Sequence, residues 1–263
     1  MNDQDNILIS SAEDKLRLCN TNGMLTNTRF LDIRQQSVLF SRFKGERDCR
    51  ALFFGGFEQA ERKLLIFVPD YYGIESAEEL TAFLKENEEL CPLAALRLKK
   101  DRFSGTLTHR DYLGAVMALG VKRETVGDII VGGDGCFLFA ESTVVRYLLD
   151  NLSSAGRATL QAERISLSQI DVPEERFVTE VHTVASLRLD AVLCQAFSLS
   201  RTRAAEAVEK GLVYVNGEQI FKADRKIMEK DKLVIRGKGK AVFSEISGES
   251  KKGRIIIRLN RYL

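Results

Sequence analysis

Apolar and polar positions along this 263-residue chain repeat with two different periods, and the changes of period divide it into segments. In residues 1–85, Ile9 to Leu18 carries a weak helical spacing and Arg29 to Phe43 is a second helical candidate. Cys49 to Phe54 and Lys63 to Val68 are short apolar runs with Gly55-Gly56 between them and Pro69 closing the second, which predicts two strands. Glu78 to Lys85 reads as a short helix. A mixed α/β domain is expected here.

Residues 86–165 are more regular. Leu93 to Leu98 reads as a strand and Thr108 to Leu119 as a helix ended by Gly120, with Thr108 and Asp111 spaced as a cap and its reciprocal partner. Asp128 to Val131 and Cys136 to Ala140 are strands joined by the turn Gly132-Gly133-Asp134-Gly135. Ser142 to Leu149 is a helix and Arg157 to Ile165 a closing strand. The order βαββαβ predicts a ferredoxin-like plait, the topology of the RRM RNA-binding module. Phe137 and Phe139 share one face of a central strand, where an RRM stacks bases. The neighbouring residues lack the basic and glycine pattern of such a strand, so core packing is the expected role and stacking the alternative.

Residues 166–181 carry Pro173 among charges and are expected to be a linker with some strand character. In 182–263, Arg188 to Phe197 and Arg201 to Lys210 read as helices, and Val213 to Asn216, Lys232 to Arg236 and Arg254 to Leu259 as strands. The fold class expected for the whole chain is α+β.

Charge changes the picture for that last segment. The formal net charge of +2 hides 17 Lys/Arg against 9 Asp/Glu in 182–263, and 22 against 28 in 1–181. Such an asymmetry suggests a polyanion-binding C-terminal module. Its chemistry would start at the second helix. Ser200 is placed to cap it, and Arg201 and Arg203 follow in the first turn, where cations oppose the helix dipole at a cost of about a few tenths of a kcal/mol. Phosphate recognition explains that placement better than folding does, since guanidinium forks match phosphate oxygens and a helix N-terminus favours an anion. Asn216-Gly217 is a hairpin turn that shapes the adjoining surface. Lys210, Lys222, Lys226, Lys238 and Lys240 add charge, with Arg236-Gly237-Lys238-Gly239-Lys240 expected as a flexible basic loop and Lys251-Lys252-Gly253-Arg254 as a second. The RNA-contacting set expected is therefore Ser200, Arg201, Arg203, Lys210, Asn216, Lys222, Lys226, Arg236, Lys238 and Lys240, joined by Arg188 on the resemblance given next.

Arg188-Leu189-Asp190, Arg201-Thr202-Arg203 and Gly211-Leu212-Val213-Tyr214-Val215-Asn216-Gly217, with two helical patterns between them, resemble the S4 RNA-binding domain. Upstream, Thr108-His109-Arg110-Asp111-Tyr112-Leu113-Gly114, Gly127-Asp128-Ile129-Ile130-Val131, Phe30-Leu31-Asp32 and Gly55-Gly56-Phe57 extend the likeness over almost the whole chain, to the bacterial YlmH family. One departure is Gly217, where that family more often has tryptophan. The resemblance implies a non-enzymatic translation factor of ribosome-associated quality control. Its S4 domain would contact ribosomal RNA and peptidyl-tRNA on the large ribosomal subunit, and it would act in the cytoplasm.

Other classes are weaker. The single Arg-Leu-Asp belongs to the S4 helix, not to a pseudouridine-synthase catalytic segment, and Gly132 to Gly135 joins two strands instead of opening a cofactor-binding helix. An RNA-modifying enzyme with an appended S4 domain and a cell-division protein acting through protein contacts remain the alternatives. His109 with Asp111 fits helix capping or RNA contact better than acid–base catalysis. Five scattered cysteines and two distant histidines predict no metal site and no disulfide framework. No cofactor or small-molecule substrate is expected. No apolar run approaches membrane-spanning length, and the acidic start lacks signal-peptide character.

Overall fold

The computed structural model describes residues 3–46, 49–101, 104–170 and 177–262. The chain forms two compact units that divide between Val172 and Pro173.

The first unit is layered. Helices α1 (Asp3–Asn22) and α2 (Ile33–Phe43) cover one face of an antiparallel sheet ordered β1 (Thr26–Asn27), β3 (Leu64–Pro69), β2 (Cys49–Phe54). The second helix starts at a capping box in which Asp32 and Gln35 exchange hydrogen bonds with each other's backbone N–H, which is why it begins after Arg29. Strand β3 is buried at every position because both its faces are covered. Leu65 and Phe67 point to the α1/α2 core, while Leu64, Ile66 and Val68 point to a second core shared with helix α3 (Ala77–Glu86) and with the next sheet.

That next sheet has the order β5 (Val126–Val131), β6 (Gly135–Glu141), β4 (Leu93–Lys100), β8 (Ala158–Ile165), β7 (Ser154–Ala155), all antiparallel. With α4 (His109–Ala118) and α5 (Ser142–Asn151) it is the ferredoxin-like plait. Tyr112, Val116, Val145 and Leu148 of the helices pack on Ala94, Leu96, Leu98 and Leu138. The other face of the same strands carries Leu93, Ala95 and Phe139, which pack against Phe54, Leu64, Ile66 and Leu80. Residues on both sides of the 85/86 boundary thus build one core.

The expected linker resolves differently along its length. Leu167–Gln169 is one 3-10 turn, and residues 171–176, Pro173 included, lie outside the described residues. Phe177–Val184 is strand β9 of the second unit, whose sheet therefore starts before residue 182.

The second unit is a six-stranded sheet ordered β11 (Glu218–Gln219), β10 (Val213–Val215), β12 (Lys232–Ile235), β13 (Gly239–Glu249), β14 (Ile255–Tyr262), β9. Helices α6 (Leu189–Ala196) and α7 (Arg201–Glu209) pack on it through Leu189, Val192, Leu193, Ala204, Ala207 and Val208. Ala204, Ala207 and Val208 are the buried positions of α7. The flexible loop expected at 236–240 is instead a tight turn closed by Lys238 N–H on the Ile235 carbonyl, with Gly239 and Lys240 already inside β13. Among the described residues no helix is long and apolar enough to cross a membrane.

Candidate nucleic-acid interface

The two helices of the second unit are joined so that their N-termini meet one buried carboxylate. Arg188 is the N-cap of α6, and Asp190 lies in the first turn with 6% exposure. The Arg188 guanidinium donates to Asp190 through Nε and a terminal nitrogen, both at 3.1 Å, and Arg201 at the start of α7 brings its Nε within 3.7 Å of the same carboxylate. Asp190 Oδ1 also accepts from the Ala191 N–H at 2.9 Å. Burial alone would raise the Asp190 carboxyl, but the Arg188 hydrogen bonds and charge, the Ala191 N–H and Arg201 together hold it below the usual aspartate value. The Arg188 and Arg201 side chains stay 45% and 63% exposed while their positions are set from below by Asp190.

Ser200 caps α7 by accepting the Arg203 N–H at 3.3 Å, a structural use of its hydroxyl. Arg203 is exposed, and among the described residues it has no ion-pair partner. The segment 222–226 runs beside the start of α6: Asp190 N–H donates to Ala223 O, Leu189 N–H to Arg225 O, and Arg188 pairs with Lys226 as an isolated bridge. Lys222 and Lys226, both exposed, therefore border the arginine pair. Lys210 stands at the other end of α7, 3.6 Å from Glu206, and Arg236 is near it, its N–H donating to Leu212 O. Lys238 is exposed on the β12–β13 turn.

Two expected contacts fall elsewhere. Asn216 adopts φ 52 in its hairpin turn, donates from its amide to Asp231 at 2.7 Å and accepts the Lys232 N–H at 2.8 Å, so both polar atoms of its side chain are engaged within the protein. Lys240 lies along β13 with its Nζ 4.2 Å from the centre of the Tyr262 ring. Asp190 is a site residue missing from the expected set; its sequence signal is an acid two positions after an arginine at a helix start, within reach of a second helix that opens with arginine.

Phe137 and Phe139 do not form an RRM-type platform. Phe139 is fully buried, with the Phe57 ring 5.0 Å away, and Phe137 is half-buried against the same core. Gly56 fits against Phe139 only because it lacks a side chain: a Cβ there would stand 2.6 Å from the ring, and its φ of +94° suits glycine. The Thr108–Asp111 pair is a capping box, with Asp111 accepting from both the Thr108 N–H and hydroxyl at 2.7 Å. Among the described residues no cluster of His, Cys, Asp and Glu could hold a metal ion.

Comparison with known proteins adds to this geometry. Residues 93–169 match the family model described as "Putative RNA-binding domain in YlmH", and residues 187–231 match the S4 domain. The chain is 32% identical over 254 residues to the Ribosome-associated protein quality control protein P2 of Bacillus subtilis, covering 96% of this chain and 93% of that one. Among solved structures it is similar to the Cell division protein ylmH from Streptococcus pneumoniae, with 19% identity and a TM-score of 0.49 over 65% of this chain and 97% of that one.

Proposed function

The chain belongs to the YlmH family of S4-domain proteins, and from that membership we propose that it is a non-enzymatic RNA-binding factor of translation. Its partners on this reading are ribosomal RNA and peptidyl-tRNA on the large ribosomal subunit, in the cytoplasm, during quality control of stalled nascent chains. The B. subtilis relative's name supplies the ribosomal setting. The observation that carries the reading is the arginine pair at the helix starts, Arg188 and Arg201 on buried Asp190, with Arg203 exposed beside them. Guanidinium groups held at one end and open at the other are prepared for phosphate, because little side-chain freedom is left to lose on binding. The only Arg-Leu-Asp aspartate, the residue a pseudouridine synthase would need free, is enclosed by these arginines.

The test is the double variant Arg201→Ala/Arg203→Ala in the full chain. It is expected to fold normally, to lose co-sedimentation with large ribosomal subunits at physiological salt, and to lower the log–log salt slope of RNA binding by about 2. Unchanged co-sedimentation and an unchanged slope would reject the reading.

A further inference from the structure

Phe221 is 61% exposed, immediately after Ile220, which is 6% exposed and turned into the core. One exposed phenylalanine is ordinary on a protein surface. This one differs in its seat and its neighbours. Its ring atoms Cε1 and Cζ lie 2.8 and 3.2 Å from where a Cβ on Gly211 would stand, and Gly211 has φ +65°, at the end of α7. The ring therefore rests in space that only glycine leaves open. Gln219 donates from its side chain to Gly211 O at 2.6 Å, which ties β11 to the same corner.

Cations flank the ring on a surface of mixed charge: Lys210, 3.6 Å from Glu206, precedes Gly211, and Lys222 follows Phe221, with Glu218 and Asp224 nearby in the chain. Two residues beyond Phe221, Ala223 O accepts the N–H of Asp190, whose carboxylate holds Arg188 and Arg201.

We propose that Phe221 is a base-stacking platform for an unpaired nucleotide of the bound RNA, set beside the arginine pair that takes the phosphates. The proposal rests on the RNA-binding reading above. An aromatic face among cations suits a nucleobase attached to a phosphodiester: the ring accepts any base by stacking while the lysines and arginines take the backbone. An apolar protein partner would gain nothing from the surrounding charge.

The test uses the full chain and two synthetic RNAs, a stem-loop with an unpaired loop and a fully paired duplex, in filter binding over a range of salt. Phe221→Ala, and Phe221→Leu, which keeps bulk without an aromatic face, are expected to weaken stem-loop binding roughly 5- to 150-fold. The log–log salt slope should stay unchanged, since no phosphate contact is lost, and duplex binding should be unaffected. Phe221→Trp is expected to retain affinity. The chain has no tryptophan, so its emission reports on this position alone and should be quenched by the stem-loop. Wild-type stem-loop affinity in Phe221→Ala, a changed slope, or unquenched Phe221→Trp emission at saturation each overturns the proposal. If Arg201→Ala/Arg203→Ala abolishes binding while Phe221→Ala leaves it intact, the RNA reading stands and the stacking proposal falls. If neither matters, both fall, and a Phe221→Ala defect confined to a protein partner likewise rejects the stacking role.

Discussion

Removing the Asp190 carboxylate tests the organisation of the arginine pair most directly. Asp190→Ala deletes the acceptor of two Arg188 hydrogen bonds and the partner of Arg201 while leaving both guanidinium groups in place. Charge-assisted hydrogen bonds contribute about 1.5–3 kcal/mol each when shielded. Here the acid is buried but the arginine side chains are about half exposed, so water screens the interaction and about 1–2 kcal/mol in total is the reasonable loss. In a unit of this size each kcal/mol lowers Tm by about 4–8 °C. The carboxyl lies below its unfolded pKa in the folded protein, so its contribution is present above the usual aspartate range and is lost as pH falls through the lowered value. The destabilisation should therefore be full at neutral pH and shrink in strong acid.

RNA affinity is the sharper readout of Asp190→Ala. The substitution raises net charge by one beside the phosphates, which alone would tighten binding by about 1 kcal/mol or less in screened solution. Against this, two released arginine side chains must each be ordered again at about 0.5–1.5 kcal/mol. A net loss of roughly 3- to 10-fold in affinity is expected, measured by filter binding beside thermal melts at pH 7 and pH 3. Unchanged or tighter binding would show that Asp190 does not position the arginines, and an unchanged Tm would show that the carboxylate contributes nothing to the fold.

In the first unit, Phe139→Ala is expected to destabilise by about 3–5 kcal/mol, as a fully buried aromatic does, and to leave RNA affinity per folded molecule unchanged. Weaker binding at matched folded fraction would restore the stacking role that the buried face denies it. Asp128 accepts the Glu61 and Arg62 N–H groups, and burial pushes its carboxyl up to about 6. A folded pKa above the unfolded one means that stability falls as pH rises from about 4 through 6. Asp128→Asn should flatten that part of the pH–Tm curve, and an identical curve in the variant would refute the shift.

How much could be read without the fold differs from element to element. The plait was legible because its strands and helices are short, regular and separated by glycine turns, and pairing of β4 with both β6 and β8 is what the βαββαβ order requires. The α6/α7 pair was equally plain, from helical spacing and a serine cap. Strand β13 is not legible in the sequence: it has glycine at both ends of its run, register shifts between Phe243 and Glu245 and between Ile246 and Gly248, and exposed residues over its last five positions, so no alternation survives. For strand β9 the sequence shows only some strand character within an expected linker, because Phe177, Val178 and Val181 stay exposed at a sheet edge, leaving no polar–apolar rhythm.

Local pattern and charge, which belong to the chain itself, determined the elements of the plait, the α6/α7 pair, the basic C-terminal segment and the arginines at the start of α7. Which face of the plait is buried, and which carboxylate the arginines share, depended on segments far apart in sequence. Phe139 is covered by residues of β2, β3 and the loop at Gly56, while Asp190 is ordered by Arg201 from a second helix. Hydrophobic burial acts on whatever surfaces meet after folding, and a one-dimensional rhythm specifies that a face is apolar without specifying what closes over it.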